Sequence, residues 1–213
     1  MRVPVLSYIL TALIAYLLGS IPTGFLVAKA RNVDIRTVGS GNIGATNAFR
    51  VLGTRFGLLV LLDDAAKGWV SVALVAPAVA QILSGAPVEY LRITAGLTAI
   101  LGHNFTCWLH FKGGKGIATT AGVLIALVPW ALLIILVVWV IAFFLTRYVS
   151  IGSISAALTL PFATWFTTGH DIGLTAVTVG MSVLAIYKHR VNIRRLRDGS
   201  ENRIEFKKKE TAS

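Results

Sequence analysis

Residues 130–146 have the sequence WALLIILVVWVIAFFLT, which contains no charged side chain. A helix needs roughly 20 consecutive apolar residues to cross the hydrocarbon core of a bilayer. The rest of the chain has the same character, because 55% of its 213 residues are hydrophobic and 14% are charged, whereas a soluble domain carries roughly 25% charged residues. The sequence therefore predicts an all-α integral membrane protein.

Six more apolar segments accompany this stretch, at residues 3–28, 56–82, 91–110, 117–128, 151–168 and 171–187. The region 117–146 is interrupted at Pro129 and would form either two short helices or one kinked helix. The charge pattern favours two helices, because seven crossings in total place 17 of the 20 Lys and Arg residues on one side. Basic residues concentrate on the cytoplasmic side of membranes. We therefore expect seven transmembrane helices, with the N-terminus outside and the C-terminus in the cytoplasm.

The same pattern divides the chain into a seven-helix membrane domain, residues 1–187, and a basic cytoplasmic segment, residues 188–213. The second part holds 13 of the 29 charged residues. The first apolar segment continues to Lys29 without a convincing cleavage site, so we expect it to remain as a membrane helix and not to be removed as a signal peptide. A single Cys107 excludes a disulfide within the chain.

A glycine-rich loop, GSGNIGATNAFR at residues 39–50, follows the first membrane segment on the cytoplasmic side. It contains a formal G-x-G-x-x-G, but it follows a membrane helix and not a strand, so a dinucleotide site is excluded. Glycines let backbone N–H groups converge on an anion. Ser40, Thr46 and Asn47 could add donors, and Arg50 could add a guanidinium fork for phosphate. The alternative is an interfacial loop whose Arg only sets topology.

A second polar region comprises GHNF, residues 102–105, and FKGGKGIAT, residues 111–119. Its glycines and lysines at the start of a helix could again bind an anion. The segment is not a Walker A motif, because Gly116 stands where that motif needs Ser or Thr. The alternative is that the lysines only reach towards the membrane surface. We expect His103 and Asn104 to be hydrogen-bonded within the helix bundle.

A third polar region, HRVNIRRLRDGSENRI at residues 189–204, follows the last apolar segment. Most of it is typical of an anchor on anionic lipid. His189 lies between two cations, which favours its neutral form and a role as proton acceptor. Ser150 and Ser153 would face the same side, as anion donors or as helix caps.

Charges also occur inside the second apolar segment. Asp63 and Asp64 precede Lys67 by four and three residues, the spacing at which a helix pairs opposite charges. We therefore expect an ion pair within the membrane domain. It could serve function or brace the fold.

This chain lacks the catalytic motifs of several enzyme classes. It has no G-x-S-x-G, no H-E-x-x-H and no Asp five residues after any His. The remaining polar residues lie in three loops on one face of the membrane and are suited to binding an anion. This indicates a phosphorylated substrate with a lipid-soluble part.

Four strings carry a resemblance to a known family. GSIPTG (19–24), GSGNIGATNAFR, GHNF with FKGGKGIAT, and HRVNIRRLRDGSENRI occur in an order that closely resembles the bacterial acyl-phosphate:glycerol-3-phosphate acyltransferases, the PlsY family. The match spans essentially the whole chain. One departure is Thr106, where the family pattern has proline, and it affects only the expected bend of the third helix.

The resemblance implies a seven-helix enzyme that transfers a fatty acyl group from acyl phosphate to the sn-1 hydroxyl of glycerol 3-phosphate. The products would be lysophosphatidic acid and phosphate, in the first acylation step of phospholipid synthesis. The resemblance further implies an enzyme of the bacterial inner membrane with a cytoplasmic active site, in contact with membrane lipids and without metal or other cofactor. We expect a monomer. The net charge of +11 would suggest nucleic acid in a soluble protein, but membrane sidedness explains it here, so no nucleic-acid partner is expected.

The resemblance also assigns residues. The catalytic set would be Ser40, Arg50, Lys115 and His189. The substrate-binding set would be Gly41, Asn42, Thr46, Asn47, Lys112, Ser150, Ser153 and Asn192. Which lysine lies closer to substrate stays open, as does whether His189 or the departing phosphate takes the proton. An acyl-enzyme on Ser40 is disfavoured because no base is fixed beside it in the sequence.

A phosphate-ester transporter is the alternative function, suggested by the charged group in the second helix and by the basic loops. Transporters place their polar sites near the bilayer midplane. Every glycine motif here maps to one surface instead, which favours the enzyme.

Overall fold

A computed structural model describes residues 4–83 and 85–205, and all regular secondary structure in these residues is helical. Residue 3 of the first predicted segment and residues 206–213 of the basic segment lie outside the described residues. The α-helices are α1 (Pro4–Ser20), α2 (Thr23–Lys29), α3 (Ala45–Leu52), α4 (Thr54–Val70), α5 (Ala76–Ile82), α6 (Val88–Asn104), α7 (Ile117–Leu127), α8 (Pro129–Thr146), α9 (Val149–Thr167), α10 (Ile172–Lys188) and α11 (Arg190–Arg197).

The first predicted helix, 3–28, is interrupted in the structure. α1 ends at Ser20 and α2 begins at Thr23, because Pro22 has no N–H to continue the ladder of hydrogen bonds. At this break, the Ile21 carbonyl accepts hydrogen bonds from the Thr23 N–H at 3.1 Å and from Lys67 Nζ at 2.9 Å. A similar irregularity divides the predicted segment 56–82, where a π-helical turn at Ser71–Val75 separates α4 from α5.

The third predicted helix, 91–110, was placed too far towards the C-terminus. α6 ends at Asn104, and the carbonyl groups of His103 and Asn104 accept hydrogen bonds from the N–H groups of Gly114 and Gly113, at 3.0 and 3.2 Å. The chain therefore turns back to cap its own helix end. Thr106 has φ −65°, a value that proline also adopts, and its hydroxyl donates to the Ser20 carbonyl at 2.5 Å. The bend is thus formed without the proline.

The region around Pro129 forms two helices, as the charge pattern predicted. Val128 leaves the helical conformation, with φ −144° and ψ 66°, and Pro129 occupies the first position of α8.

Length and hydropathy allow three of the described helical stretches to cross a membrane, namely Pro4–Lys29, Pro129–Thr146 and Val149–Thr167. The pair α10 and α11, bent by 53°, would make a fourth. α4 and α6 have 17 residues each and α7 has 11, so they are shorter. The total of seven crossings therefore stays a prediction.

Helix pairs pack through small residues. α1 packs on α6 and α4 on α7, while α9 lies between α8 and α10. A Cβ atom at Gly19 would overlap the carbonyl oxygen of Ala99, and one at Gly122 would overlap that of Ala65. Close backbone approach of this kind is typical of helices in membranes.

The contact at Gly122 gives a testable prediction. Gly122→Ala is expected to lower the free energy of unfolding by about 1–3 kcal/mol, because the added methyl group forces α4 and α7 apart. Gly180→Ala is the matched control, since a Cβ atom at Gly180 meets nothing within 4 Å. Thermal unfolding of the detergent-purified variants checks this, and equal midpoints would contradict the close contact.

Candidate functional site

A cavity of about 400 Å³ lies where the three polar regions meet. Its polar wall combines the first loop, the second loop, the start of α9 and the C-terminal region. The polar residues of this wall are Ser40, Asn42, Thr46, Asn47, Arg50, Lys115, Ser150, Ser153, His189, Asn192, Glu201 and Asn202. Ten of the twelve residues assigned from the sequence therefore line one cavity.

The first loop is held in shape by Asn47. The Asn47 oxygen accepts the Ser40 N–H at 2.8 Å, and its amino group donates to the carbonyls of Ile35 and Val38 at 3.2 and 3.1 Å. Both ends of this buried amide are thus engaged within the loop. Asn47 braces the loop, while Asn42 and Arg50 bring side chains to the cavity.

The second loop places one of its two lysines at the cavity. Gly116 adopts φ +77°, which favours glycine, and ends the turn that carries Lys115 into the wall. The pKa of Lys115 is lowered to about 8, chiefly by burial. Glu201 opposes this shift, and the charges of Arg195 and Arg50 add to it. Lys112 is exposed and does not line the cavity, and neither does Gly41.

His189 lies buried at the turn between α10 and α11. Its Nδ1 is 2.8 Å from the carbonyl oxygen of Ala185. Because a carbonyl only accepts, Nδ1 carries the hydrogen and Nε2 keeps a free lone pair. Burial, with the nearby charge of Lys115, lowers the pKa of His189 to about 4. The imidazole is therefore neutral at physiological pH, which is the state that its flanking cations predict.

Glu201 was not assigned from the sequence, yet it connects two residues that were. Its Oε1 accepts hydrogen bonds from Ser150 Oγ at 3.0 Å and from Asn192 Nδ2 at 2.7 Å. Gly199, with φ +69°, turns the chain back so that this acid returns to the cavity. The signal in the sequence was an acidic residue two positions after a glycine within a basic region.

The predicted ion pair in the second segment is confirmed for Asp64. Its Oδ1 lies 2.7 Å from Lys67 Nζ and 3.4 Å from His103 Nδ1. Asp63 instead accepts a hydrogen bond from Thr23. Asp64 and His103 also line the cavity, which the sequence did not indicate.

Asn104 departs from its prediction. Its side-chain oxygen and nitrogen are buried without a hydrogen-bond partner among the described residues. They pack against Gly116, and only the backbone carbonyl of Asn104 is engaged, by Gly113 N–H and by Lys188 Nζ at 2.8 Å.

Apart from Asp64, His103, Thr120 and Ser182, the rest of the cavity is apolar. Trp139 stands near the boundary, where its Nε1 donates to Ser153 Oγ at 3.3 Å. Beyond it the wall is formed by side chains of α4, α7, α8, α9 and α10, including Leu61, Leu124, Leu132, Ile135, Leu136, Leu160 and Met181. One cavity thus offers cations and hydrogen-bond donors at one end and a hydrocarbon surface at the other.

No group of three His, Cys, Asp or Glu side chains within residues 4–83 and 85–205 is arranged to hold a metal ion.

Sequence and structure are both similar to known proteins. The family model described as Glycerol-3-phosphate acyltransferase matches residues 9–199. A glycerol-3-phosphate acyltransferase of Geotalea daltonii is 48% identical over 188 residues, which cover 88% of this chain and 93% of that protein. Another, of Endomicrobium trichonymphae, is 45% identical over 203 residues, which cover 94% and 98%.

Solved structures agree with these relatives. The glycerol 3-phosphate form of PlsY, an integral membrane glycerol 3-phosphate acyltransferase, has a TM-score of 0.83 and 37% identity, covering 93% of this chain and 96% of that one. Its lysophosphatidic acid form has a TM-score of 0.80 and 36% identity, with the same coverage.

Proposed function

The chain belongs to the glycerol-3-phosphate acyltransferase family and transfers an acyl group to glycerol 3-phosphate, and we propose that acyl phosphate is the donor and that the cavity described above is the active site. The observation that carries this proposal is the joining of a cationic end and an apolar end in one cavity. A phosphate ester and a fatty acyl chain need these two environments side by side.

Acyl transfer from this donor requires few catalytic groups beyond those in the cavity. Acyl phosphate is a mixed anhydride with a good leaving group, so positioning and charge stabilisation dominate catalysis. Arg50 and Lys115 supply positive charge for the phosphates, and Ser40, Asn42 and Thr46 supply donors for the acyl phosphate. The apolar wall receives the acyl chain. Ser150, Ser153 and Asn192 complete the polar end.

The proton of the attacking hydroxyl passes to the departing phosphate in this proposal. A base with a pKa of about 4 binds a proton weakly at neutral pH. The phosphate oxygen becomes strongly basic as its bond to the acyl carbon breaks, so it takes the proton and leaves as hydrogen phosphate. Before the attack, Nε2 of His189 accepts a hydrogen bond from the hydroxyl and orients its oxygen towards the acyl carbon. As the new C–O bond forms and the bond to phosphate breaks, the hydroxyl hydrogen turns to the departing phosphate. His189 is thus a catalytic residue that aligns the nucleophile.

We further propose the membrane arrangement that the charge pattern predicts. The chain crosses the bacterial inner membrane seven times as a monomer in contact with lipid, with residues 1–187 as the membrane domain and the cavity at the cytoplasmic face. Residues 188–213 form the basic cytoplasmic segment, whose His189, Asn192 and Glu201 complete the site.

An assay with purified components tests the proposed function. Protein incubated with acyl phosphate, glycerol 3-phosphate and a metal chelator is expected to form lysophosphatidic acid and phosphate in equal amounts. If a thioester supports the reaction and acyl phosphate does not, the proposed donor is wrong. If no acylated product forms, and vesicles containing the protein take up glycerol 3-phosphate, the transporter is favoured.

A trapping experiment tests direct attack by the hydroxyl. With radiolabelled acyl phosphate and no acceptor, we expect no acyl group on Ser40. Its backbone N–H is bonded to Asn47, and no hydrogen bond joins its hydroxyl to a base among the described residues. Intersecting initial-rate plots for the two substrates would agree with a ternary complex. A labelled Ser40, or ping-pong kinetics, would establish an acyl-enzyme instead.

A further inference from the structure

The carboxylate of Glu201 is held in place through one of its two oxygens, while the other accepts no hydrogen bond from the described residues. Oε1 receives both protein donors, Ser150 Oγ and Asn192 Nδ2. Oε2 is buried and accepts no hydrogen bond within the described residues. A buried carboxylate oxygen without a donor is unfavourable, so a ligand that supplies a donor there would bind with a gain in free energy.

The position of Glu201 is fixed from several sides. Ser150 belongs to α9 and Asn192 to α11, so the carboxylate bridges two helices. Just beyond it, the Ile204 N–H donates to the Arg147 carbonyl at 2.9 Å, and the Arg203 guanidinium lies 5.9 Å from the centre of the Tyr148 ring. The acid is therefore a preformed part of the cavity wall.

Charge then decides which part of a substrate can approach Glu201. Two carboxylates line the cavity among the described residues, and Asp64 is already paired with Lys67. The carboxylate of Glu201 repels phosphate groups, which are attracted to Arg50 and Lys115. What it accepts is a hydrogen from a neutral group, such as a hydroxyl.

Glycerol 3-phosphate has two hydroxyl groups. In the proposed function, on which this inference rests, the C1 hydroxyl faces Nε2 of His189 and the acyl carbon. The C2 hydroxyl then needs a different acceptor. We propose that Glu201 accepts a hydrogen bond from the C2 hydroxyl of glycerol 3-phosphate and so selects this substrate against three-carbon phosphates that lack a hydrogen-bond donor at C2.

Dihydroxyacetone phosphate is the informative competitor. Its C2 carries a carbonyl, whose oxygen only accepts and would face a second acceptor at Glu201. 3-Hydroxypropyl phosphate has neither group at C2. Sites built to hydrogen-bond a substrate hydroxyl reject analogues without it far more strongly than apolar pockets reject a changed methylene.

The test compares kcat/KM for these three acceptors in wild type and in Glu201→Gln, with one acyl phosphate. Glutamine keeps an oxygen for Ser150 and Asn192 and replaces Oε2 by an amino group. We expect activity with glycerol 3-phosphate to fall about 5- to 10-fold, because its C2 hydroxyl can still accept from the new amino group but loses its hydrogen bond to a charged acceptor. Activity with 3-hydroxypropyl phosphate should stay within about threefold. Activity with dihydroxyacetone phosphate should hold or rise, because the new amino group can donate to its carbonyl.

Ratios between substrates do not depend on the amount of folded enzyme, so they separate selection from stability. Glu205→Gln, at an exposed neighbouring acid, is the control and should leave all ratios unchanged. If Glu201→Gln does not fold, Glu201→Asp withdraws the carboxylate by one methylene and should also reduce the preference for glycerol 3-phosphate over 3-hydroxypropyl phosphate. An equal fall with all three acceptors would overturn the proposal. Wild-type protein that acylates none of them would overturn the proposed function instead.

Discussion

Replacing Lys115 by alanine is expected to lower kcat/KM for glycerol 3-phosphate by about 10- to 100-fold, the loss typical of a hydrogen bond to a charged group. Lys115 lines the cavity and is half-buried, so its charge is partly shielded from bulk water. An ammonium in such a place attracts phosphate more strongly than one at an open surface. Steady-state kinetics in detergent micelles, with acyl phosphate saturating, measure the effect.

Lys112→Ala is the matched control. Lys112 lies three residues away on the same loop but is exposed and outside the cavity. Its loss should change kcat/KM by less than about threefold, because exposed charge contacts contribute little. Equal losses in the two variants would mean that the loop acts through its overall charge and not through one placed lysine.

The same lysine should give the reaction an alkaline limit. Burial lowers the pKa of Lys115 to about 8, so the free enzyme loses this positive charge as the pH rises through that value. kcat/KM for glycerol 3-phosphate should therefore decline above pH 8. Lys115→Arg, whose guanidinium stays protonated, should shift this decline to higher pH. A decline at the same pH in both enzymes would assign it to another group.

Asp64→Asn is expected to destabilise the protein by about 3–5 kcal/mol, because removal of one partner leaves a buried charge uncompensated. The side chains of Asp64 and Lys67 are 3% and 4% exposed, and their charged atoms lie 2.7 Å apart. Lys67 would keep neutral acceptors, such as the Ile21 carbonyl, but would lose the negative charge that compensates its own. The midpoint of thermal unfolding in detergent should fall accordingly.

Two further variants identify the cause. Combining Asp64→Asn with Lys67→Met removes both charges and should recover most of the stability, since a buried ion pair can be replaced by apolar groups at little loss. Asp63→Asn, at the exposed neighbour, should change stability by about 1 kcal/mol or less. If the double variant is no more stable than Asp64→Asn, the carboxylate acts through His103 and not through charge balance.

The sequence predicted the helical class and the break at Pro129 well, because apolar length and proline are local signals. It placed the end of the third helix wrongly, since 91–110 was taken as continuous. That end is set by Gly113 and Gly114, which return from later in the chain to cap the carbonyls of α6. No local propensity describes such a contact.

The candidate site was also predicted only in part, because local signals are visible in the sequence and contacts between distant residues are not. Glycine loops, cations and their order in the chain pointed to ten of the polar residues that line the cavity. Glu201 was missed because its importance depends on contacts with Ser150 and Asn192, one of them 51 residues away. Lys112 and Lys115 could not be separated by spacing alone, since only the turn at Gly116 determines which of them reaches the cavity.

The close helix contacts at glycine residues affect which positions of this sequence can change during evolution. At Gly19 and Gly122 the approach of two helices is set by backbone atoms, which every residue shares. The outer faces instead carry side chains such as Leu133, Val137 and Leu145, which are 51%, 58% and 77% exposed. Exchange of one apolar side chain for another on these faces leaves the helix contacts unchanged. The lipid-facing surface can therefore accumulate neutral replacements, and adapt to bilayers of different composition, while the cavity keeps its shape.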